Sequence, residues 1–338
     1  MTLATILLDQ KELELLVSRA LENAGAGITA ARSTARALVQ AEVDGQSGHG
    51  LSRIDSYCAQ ARTGKVYGAA TPSVRRSRPG VVMIDVAHGF FYPAAELAAP
   101  VIAAAARDCG IAAAGFYNSH HAGALGLAIE RFASGGLMAM MFANTPKAMA
   151  AWGGRAALFG TNPIAFAAPV PDAAPIIIDL ALSEVARGKI LKASQDGQPI
   201  PEGWAKDADG NPTTDPTAAL KGTLEPIGGA KGAALSLMVE MLAAALVGAN
   251  LSKDASSFFD GDGPPPDVGQ LLIVFDPNAF GGAANVAERI AAIATAMTED
   301  EGVRIPGSAR AARRAEADVR GIAVSTALLA KLRTLAGA

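Results

Sequence analysis

Short apolar runs alternate with helical patterns through the middle of the chain, and this alternation constrains the fold more than any other feature. Residues 81–86, 111–117 and 137–143 predict strands, and the segments between them have helical patterns. Strands separated by helices are typical of an α/β protein. We therefore predict an α/β region over residues 71–283, within which residues 120–230 could form a subdomain.

Both ends of the chain have helical patterns instead. Asp9 can cap a first helix, amphipathic patterns continue to residue 62, and helical patterns return after residue 284. Amphipathic helices must bury their apolar faces. We therefore predict that residues 1–70 and 284–338 pack into one helical domain beside the α/β region.

Composition excludes several classes of protein. Half of the 338 residues are hydrophobic and 18% are charged, which is enough for a large core and unlike a disordered chain. The net charge of −3 predicts neither a nucleic-acid nor a membrane partner. No signal sequence or membrane-spanning stretch is evident, and two cysteines make no disulfide framework. We expect a cytoplasmic protein.

The two usual phosphate-binding motifs are missing. No Gly-x-Gly-x-x-Gly follows a predicted strand, and no Gly-x-x-x-x-Gly-Lys-Ser/Thr is present. A Rossmann fold and a P-loop are therefore both disfavoured, and a nicotinamide cofactor would have to bind in another way.

A histidine-rich string lies between a predicted strand and a predicted helix. Asn118-Ser119-His120-His121-Ala122-Gly123 holds two of the four histidines, at a junction where α/β proteins often place reactive groups. Histidine titrates near neutral pH and suits proton transfer, although an isolated histidine is often structural. Adjacent side chains of an extended chain point to opposite sides, so we expect one catalytic histidine here and no bound metal.

Another histidine precedes an arginine and a tyrosine at helical spacing. On a helix, His49, Arg53 and Tyr57 would share one face, and the predicted third helix covers Leu51 to Arg62. Arginine can bind a carboxylate through two hydrogen bonds, and the neighbouring imidazole can donate a proton. The alternative is a solvated helix face with no role in chemistry.

Two glycine-containing strings could hold a polar cofactor. Gly160-Thr161-Asn162-Pro163 offers backbone amides, a hydroxyl and a carboxamide, although a turn that bonds its own backbone has the same composition. Gly228-Gly229-Ala230-Lys231-Gly232 offers free amides and a lysine at a helix start, which suits a phosphate or a carboxylate. A plain helix cap explains the second string equally well.

Taken together, these strings resemble those of the malate/L-lactate dehydrogenase type 2 family. That family also includes ureidoglycolate and sulfolactate dehydrogenases and the reductases of Δ1-piperideine-2-carboxylate and Δ1-pyrroline-2-carboxylate. Each string is short, but the ordered set covers roughly residues 40–283 and is specific. The other resembling strings are Gly48-His49-Gly50-Leu51-Ser52-Arg53, Asp179-Leu180-Ala181-Leu182-Ser183, Ala186-Arg187-Gly188-Lys189, Pro201-Glu202-Gly203-Trp204 and Thr213-Thr214-Asp215-Pro216.

The resemblance implies a homodimeric oxidoreductase with a non-Rossmann fold, an active site near the dimer interface, and NAD or NADP as cofactor. In the family, the histidine that matches His121 is the general acid and base. We expect His121 and His49 to be catalytic, and Gly48, Arg53 and Tyr57 to bind substrate. The residues expected to bind the cofactor are Asn144, Thr145, Gly160, Thr161, Asn162, Asp179, Leu180, Ala181, Ser183, Lys231 and Gly232.

The implied reaction is hydride transfer between nicotinamide and a small 2-hydroxy or 2-oxo acid of the malate, lactate, sulfolactate or ureidoglycolate type. Gly48 stands where the family usually has serine, and Lys189 where its cyclic-imine reductases have aspartate. Both departures favour the hydroxy acid, whereas residues 158–169 also suit the imine reductases. Imine reduction and a catalytically silent ligand-binding relative are the alternatives. The sequence does not decide between NAD and NADP.

Overall fold

The computed structural model describes residues 4–337. The strands are β1 Thr5–Leu8, β2 Ser73–Arg78, β3 Val81–Asp85, β4 Ile111–Ser119, β5 Met138–Ala143, β6 Met149–Ala150, β7 Ala157–Phe159, β8 Ile164–Ala168, β9 Ile176–Leu180, β10 Ala205–Lys206, β11 Thr223–Leu224, β12 Val268–Phe275 and β13 Ile322–Ser325. The helices are α1 Gln10–Asn23, α2 Ile28–Val43, α3 Ile54–Thr63, α4 Phe91–Cys109, α5 Leu125–Ser134, α6 Arg187–Gln195, α7 Pro216–Lys221, α8 Ala230–Glu240, α9 Ala283–Thr298, α10 Ser308–Arg320 and α11 Thr326–Ala336. None of the helices in this described range has both the length and the apolar character needed to cross a bilayer.

The two ends of the chain share one hydrophobic core. α1 begins at Gln10 because the Asp9 carboxylate accepts hydrogen bonds from the amides of Lys11 and Glu12. α1 packs against α2, α3 and α11, and β1 pairs antiparallel with β13. The sequence patterns predict only helices here, because four-residue strands are too short to show a period. The predicted domain boundaries stay a prediction, and residues 1–3 and 338 of the predicted helical domain lie outside the described residues.

A seven-stranded mixed sheet confirms the predicted α/β class. Its order is β2-β3-β4-β12-β5-β8-β9, with β3 and β4 parallel and the other neighbours antiparallel. Met141 and Leu272 face a core that α4 and α5 complete, whereas Phe142 and Leu271 face a second core that includes Val239 of α8. Because successive side chains of a strand alternate between faces, both faces of the sheet are apolar and covered. A smaller sheet has the order β10-β11-β6-β7.

Several strand ends meet at one edge of the large sheet. The register places the carboxyl ends of β4, β5 and β9 beside the amino ends of β12 and β8. Gln270 of β12, for example, pairs with Ala143 of β5, and Ile164 of β8 pairs with Leu180 of β9. The histidine string follows β4, Asn144 and Thr145 follow β5, and the string 160–163 precedes β8. All three segments therefore leave the sheet at the same edge.

Candidate active site

His121 is buried directly after a strand that the sequence predicts. β4 ends at Ser119, and His120 and His121 follow it toward different neighbours. The Nδ1 atom of His121 lies 2.7 Å from the hydroxyl of Tyr57, and His121 is only 6% exposed. Since Tyr57 occupies Nδ1, Nε2 is the ring nitrogen left for a substrate.

His49 stacks on His121, with ring centroids 5.2 Å apart. Two 3-10 turns, Ser47–His49 and Leu51–Arg53, bring it there before α3 begins. The helix predicted from Leu51 is thus present as the second turn followed by α3, and His49 lies before it. Gly50, between the two turns, has φ −95° and ψ −137°, angles that interrupt a helix.

Arg53 is held with part of its guanidinium unengaged. Its Nε donates to the carbonyl of Gly48 at 2.7 Å, and its Cζ lies 4.7 Å from the centre of the Phe259 ring. Its buried Nη1 and the buried Nδ1 of His49 have no hydrogen-bond partner among residues 4–337. Buried polar atoms are nearly always paired, so these two indicate the place of a polar ligand.

His120 serves a different set of contacts. Its Nε2 lies 2.7 Å from the Oε1 atom of Gln60, and its ring packs edge-on against Phe90 and Phe258. The ring of Phe258 also packs on His121, with centroids 4.9 Å apart. His121 is thus the member of the pair that faces His49, and Phe258 covers both histidines.

The loop that carries Phe258 and Phe259 is anchored to the end of α3. The fully buried ammonium of Lys65 pairs with Asp260 at 3.0 Å, and the Gln60 side chain donates to the Asp260 carbonyl. Sequence reasoning missed this loop. Its signal was two adjacent phenylalanines in a loop rich in glycine and proline, since aromatic side chains on loops often contact ligands.

Burial keeps the histidines of the site neutral. Desolvation, with the charge of Arg53 nearby, lowers the pKa of His49 to about 4. Desolvation followed by the charges of Arg53 and Lys65 lowers the pKa of His120 to about 3. The pKa of His121 falls well below its usual value through desolvation first and then through Arg53 and the two other histidines. A neutral imidazole can accept a proton from a hydroxyl or, as the other tautomer, donate one.

The segment after β5, with Asn144 and Thr145, meets the turn at Thr161 and Asn162 at the same edge of the sheet. The Oγ1 atom of Thr145 accepts from the amide of Thr161 at 2.9 Å, and the Oδ1 atom of Asn162 accepts from the amide of Thr145 at 3.3 Å. The fully buried Asn162 also donates to the Glu240 carboxylate, and Asn144 bonds the backbone on either side of its strand end. Both carboxamides hold the turns together, and the cofactor role expected for them stays a prediction.

Asp179 of β9 contacts the start of α5, the segment before His49, and α10. Its carboxylate accepts from the amide of Gly126, at the start of α5, at 2.9 Å and from the side chain of Gln46 at 3.5 Å. Arg310 of α10 pairs with it at 3.5 Å. Burial raises the pKa of Asp179, and these donors oppose that rise. Neither Gln46 nor Arg310 has a sequence signal, because each is distant from Asp179 along the chain.

Lys231 and Gly232 begin α8 beside the same segment. Ser183 forms an isolated bridge with Pro226, which places the turn before α8 against the strand end. A Cβ on Gly232 would collide with the carbonyl oxygen of Ile227, so only glycine allows this close approach. The side chain of Lys231 is exposed.

The structure brings the predicted site residues into one connected region. The turn at Gly160 contacts Thr145, and the amide that follows Ala181 donates to the Thr161 carbonyl. Leu180 lies at the end of β9. Within residues 4–337, no group of three or more His, Cys, Asp or Glu side chains is arranged to hold a metal ion. The catalytic and binding roles of the predicted residues are not tested by this proximity and stay predictions.

Comparison with known proteins identifies the family. The chain matches the malate/L-lactate dehydrogenase family over residues 8–333. It is 48% identical over 306 residues to a (2R)-3-sulfolactate dehydrogenase (NADP(+)) of Chromohalobacter salexigens, with 90% of this chain and 91% of that protein covered. It is 41% identical over 330 residues to a Delta(1)-pyrroline-2-carboxylate reductase of Ancylobacter novellus, with 96% of each covered.

A solved structure gives the same result for the fold. The crystal structure of delta1-piperideine-2-carboxylate reductase from Pseudomonas syringae pathovar tomato superposes with a TM-score of 0.93 at 37% identity, and covers 98% of this chain and 100% of that one. The family inferred from the ordered strings is thereby confirmed. The chain belongs to the malate/L-lactate dehydrogenase family of oxidoreductases.

Proposed function

We propose that the protein transfers a hydride between a nicotinamide cofactor and a small 2-hydroxy or 2-oxo acid. Two observations in the same site carry this proposal. The Nδ1 of His121 contacts Tyr57, and the buried Nη1 of Arg53 has no partner in the described part of the chain. A 2-hydroxy acid offers a hydroxyl proton to the imidazole and a carboxylate to the guanidinium. Malate, lactate, sulfolactate and ureidoglycolate all carry both groups.

In this proposal Arg53 anchors the carboxylate. Its bond to the Gly48 carbonyl and its contact with the Phe259 ring fix the plane of the guanidinium, and so fix the direction from which a carboxylate binds. The free Nδ1 of His49 supplies a further polar contact. Holding the acid in one orientation removes much of the entropic cost of reaction.

His121 moves the proton. In oxidation its Nε2 accepts the hydroxyl proton, and in reduction it returns a proton to the oxo oxygen. The low pKa of His121, caused first by burial, keeps the ring neutral at pH 7 and able to act as the base. Phe258 covers the ring and excludes water from one side of it.

The cofactor, NAD or NADP, accepts or supplies the hydride when bound. Two buried atoms beside Asp179, the Oε1 of Gln46 and the Nη1 of Arg310, lack partners within the described range, which fits a polar group bound there. Because the chain has no Gly-x-Gly-x-x-Gly, we infer binding by a fold other than the Rossmann fold. The residues we expect to hold the cofactor are Asn144, Thr145, Gly160, Thr161, Asn162, Asp179, Leu180, Ala181, Ser183, Lys231 and Gly232.

The second candidate is reduction of a cyclic imine that carries a carboxylate. The names of the Ancylobacter novellus relative and of the superposed Pseudomonas syringae structure favour it. Such an imine would present its carboxylate to Arg53 and a nitrogen that needs a proton. Gly48 and Lys189 count against it, because the resemblance leads us to expect serine and aspartate in an imine reductase.

Oxidation of NADH and NADPH by the purified protein separates the candidates. The panel contains oxaloacetate, pyruvate, sulfopyruvate and the two cyclic imines, with acetaldehyde as the control that lacks a carboxylate. Turnover of a 2-oxo acid but not of acetaldehyde supports the first candidate and the role of Arg53. Turnover of the imines alone supports the second, and no turnover with any compound contradicts both and favours the ligand-binding alternative.

Restoring the family serine tests why the chain departs from it. A Cβ on Gly48 finds no atom within 4 Å, so Gly48→Ser should fold normally. Combined with Lys189→Asp, it should raise kcat/KM for the imines relative to the 2-oxo acids by about tenfold, through hydrogen bonds made to one substrate only. Lys192→Asp, on the same exposed part of α6, controls for the change of charge. An unchanged ratio would show that these residues do not set the choice of substrate.

We also propose that the protein is a homodimer. Leu235, Leu237, Met241 and Leu246, in and after α8, are between 41% and 66% exposed. Large apolar side chains that are exposed together on one segment are typical of a subunit interface. Sedimentation velocity should therefore show a species of two chains, whereas a single chain at assay concentration would contradict the proposal.

A further inference from the structure

A second tyrosine continues the contacts that begin at His121. The hydroxyl of Tyr57, 2.7 Å from the Nδ1 of His121, lies 3.4 Å from the hydroxyl of Tyr92. Tyr92 stands in the first turn of α4. A phenol hydroxyl can accept one hydrogen bond while it donates another, so the three side chains can form one continuous chain of hydrogen bonds.

Tyr92 also lines a cavity of about 410 Å³ between α1, α2, α4 and α5. The cavity lies outside the residues proposed to bind substrate or cofactor, and Ala122, next to His121, forms part of its wall. A liquid water molecule occupies about 30 Å³, so this volume holds several of them. Arg36 and Glu96, which pair at 2.9 Å in the lining, are 51% and 35% exposed, so the cavity reaches solvent beside them.

The lining is polar enough to order water. Gln10, Glu14 and Gln40 contribute polar side chains from α1 and α2. Glu130 and Arg131 add charged side chains from α5. Ordered waters in proteins form where polar groups of this kind are available to bond them.

The last residue of the histidine string makes room for Tyr92. Gly123 has φ +64°, and a Cβ at this position would collide with the hydroxyl of Tyr92. Any other residue would therefore push this hydroxyl away from Tyr57 or strain the backbone. A glycine at position 123 thus allows the Tyr92 hydroxyl to lie beside that of Tyr57.

A buried His121 that accepts a proton at Nε2 needs a path by which a proton can leave the ring. Its ring lies near the guanidinium of Arg53 and two other imidazoles, which makes a positive charge on His121 unfavourable. A proton taken from a substrate at Nε2 would create that charge unless another proton leaves from Nδ1. The atom bonded to Nδ1 is the hydroxyl of Tyr57.

We propose that Tyr57 and Tyr92 pass protons between the Nδ1 atom of His121 and the water of this cavity. This inference rests on the proposed function, for which His121 is the acid and base. Its observations are the two hydroxyl contacts, the cavity that reaches solvent, and the space that Gly123 leaves.

Each group in this path gives up one proton and receives one, so no side chain is left charged. In oxidation the substrate hydroxyl proton bonds to Nε2 as the Nδ1 proton passes to the oxygen of Tyr57. Tyr57 gives its own hydroxyl proton to Tyr92, and Tyr92 gives its proton to a cavity water. The imidazole and both phenols end neutral, and one proton enters solvent. Reduction runs the same transfers in reverse. Burial raises the pKa of Tyr92 to about 12, which suits a phenol that relays protons rather than ionises.

The first test measures proton exchange without any substrate or cofactor. Because the chain has four histidines, a protein with isotope-labelled histidine gives few ring signals, and His121→Asn assigns one of them. We expect the His121 ring proton to exchange with water at least about tenfold more slowly in Tyr92→Phe than in the wild type. Tyr67→Phe, which changes a half-exposed tyrosine beside His88, is the matched control and should leave exchange unchanged.

The second test measures hydride transfer in a single turnover with the substrate that the panel identifies. Tyr92→Phe should slow this step about tenfold, and Tyr67→Phe should not. In Tyr92→Ala, added imidazole should restore the rate saturably, because it can enter the enlarged cavity and exchange the proton. A purely structural role would give no such rescue.

The outcomes separate this inference from the proposed function. Exchange and hydride transfer that are both unchanged in Tyr92→Phe would overturn the relay while leaving the oxidoreductase reaction intact. A wild type that turns over no compound would overturn the proposed function, and the exchange measurement would still decide whether a proton path connects His121 with solvent.

Discussion

Replacing His121 with asparagine should remove most of the turnover and leave the fold intact. The asparagine amide lies close to where Nδ1 stands in histidine, so the contact with Tyr57 can be kept while Nε2 is lost. Removal of a positioned acid and base typically costs 10²–10⁴-fold. We expect kcat to fall at least about a hundredfold. KM for the acid should change little, because Arg53 remains in place.

The control for this substitution is His88→Asn. His88 pairs with Asp267 and is not in contact with the rings of His49 and His121. It should retain wild-type kcat. Circular dichroism and titration of the reduced cofactor would show that His121→Asn still folds and binds. A His121→Asn protein that folds, binds and keeps near wild-type turnover would exclude His121 as the acid and base.

Local patterns predicted the elements that carry the site. The strand predicted at 111–117 is β4, because a short apolar run favours a buried strand, and the helix predicted after the histidine string is α5, because its apolar residues recur at helical spacing. The strand predicted at 137–143 is β5 for the same reason. Placing their ends at one edge of a sheet needs the strand order and register, which no local pattern contains.

Contacts between distant segments account for what sequence reasoning missed. Tyr57 of α3 contacts Tyr92 of α4, and Asp179 pairs with Arg310, which lies more than a hundred residues later in the chain. Spacing also left open whether His49 shares a helix face with Arg53 and Tyr57. Gly48 and Gly50 flank His49, and glycine disfavours a helix by about 1 kcal/mol per residue, which agrees with its position before α3.

Lowering the pH below 6.5 should progressively destabilise the ligand-free protein, because three buried histidines take up protons when the chain unfolds. In the folded protein the pKa of His49 is about 4, that of His120 about 3, and that of His121 well below 6.5. In the unfolded chain each is about 6.5. The unfolded state therefore binds more protons below pH 6.5, so this stability is complete above pH 6.5 and is lost as the pH falls toward the folded values.

The expected loss is large compared with the stability of a protein. Each histidine lowers the free energy of unfolding by up to about 1.4 kcal/mol per pH unit, so three lower it by about 4 kcal/mol per unit. Total stabilities are about 5–15 kcal/mol, so a protein of about 6–10 kcal/mol would unfold between about pH 5 and 4. Two buried carboxyl groups act in the opposite direction, because burial raises the pKa of Glu42 and Asp179 and their protonation favours the folded state. Two such groups oppose three histidines, so the net effect expected is a loss of stability as the pH falls.

Urea unfolding followed by circular dichroism at pH 7, 6 and 5 would measure this dependence. His120→Gln is the informative variant, because glutamine can keep the hydrogen bond that Nε2 of His120 makes with Gln60 while it removes one titrating group. Its unfolding free energy should fall with pH about one third less steeply than that of the wild type, since one of three histidines no longer takes up a proton. A wild-type urea midpoint that stays constant from pH 7 to 5 would mean that the site opens to water, and protonates its histidines, without unfolding the chain.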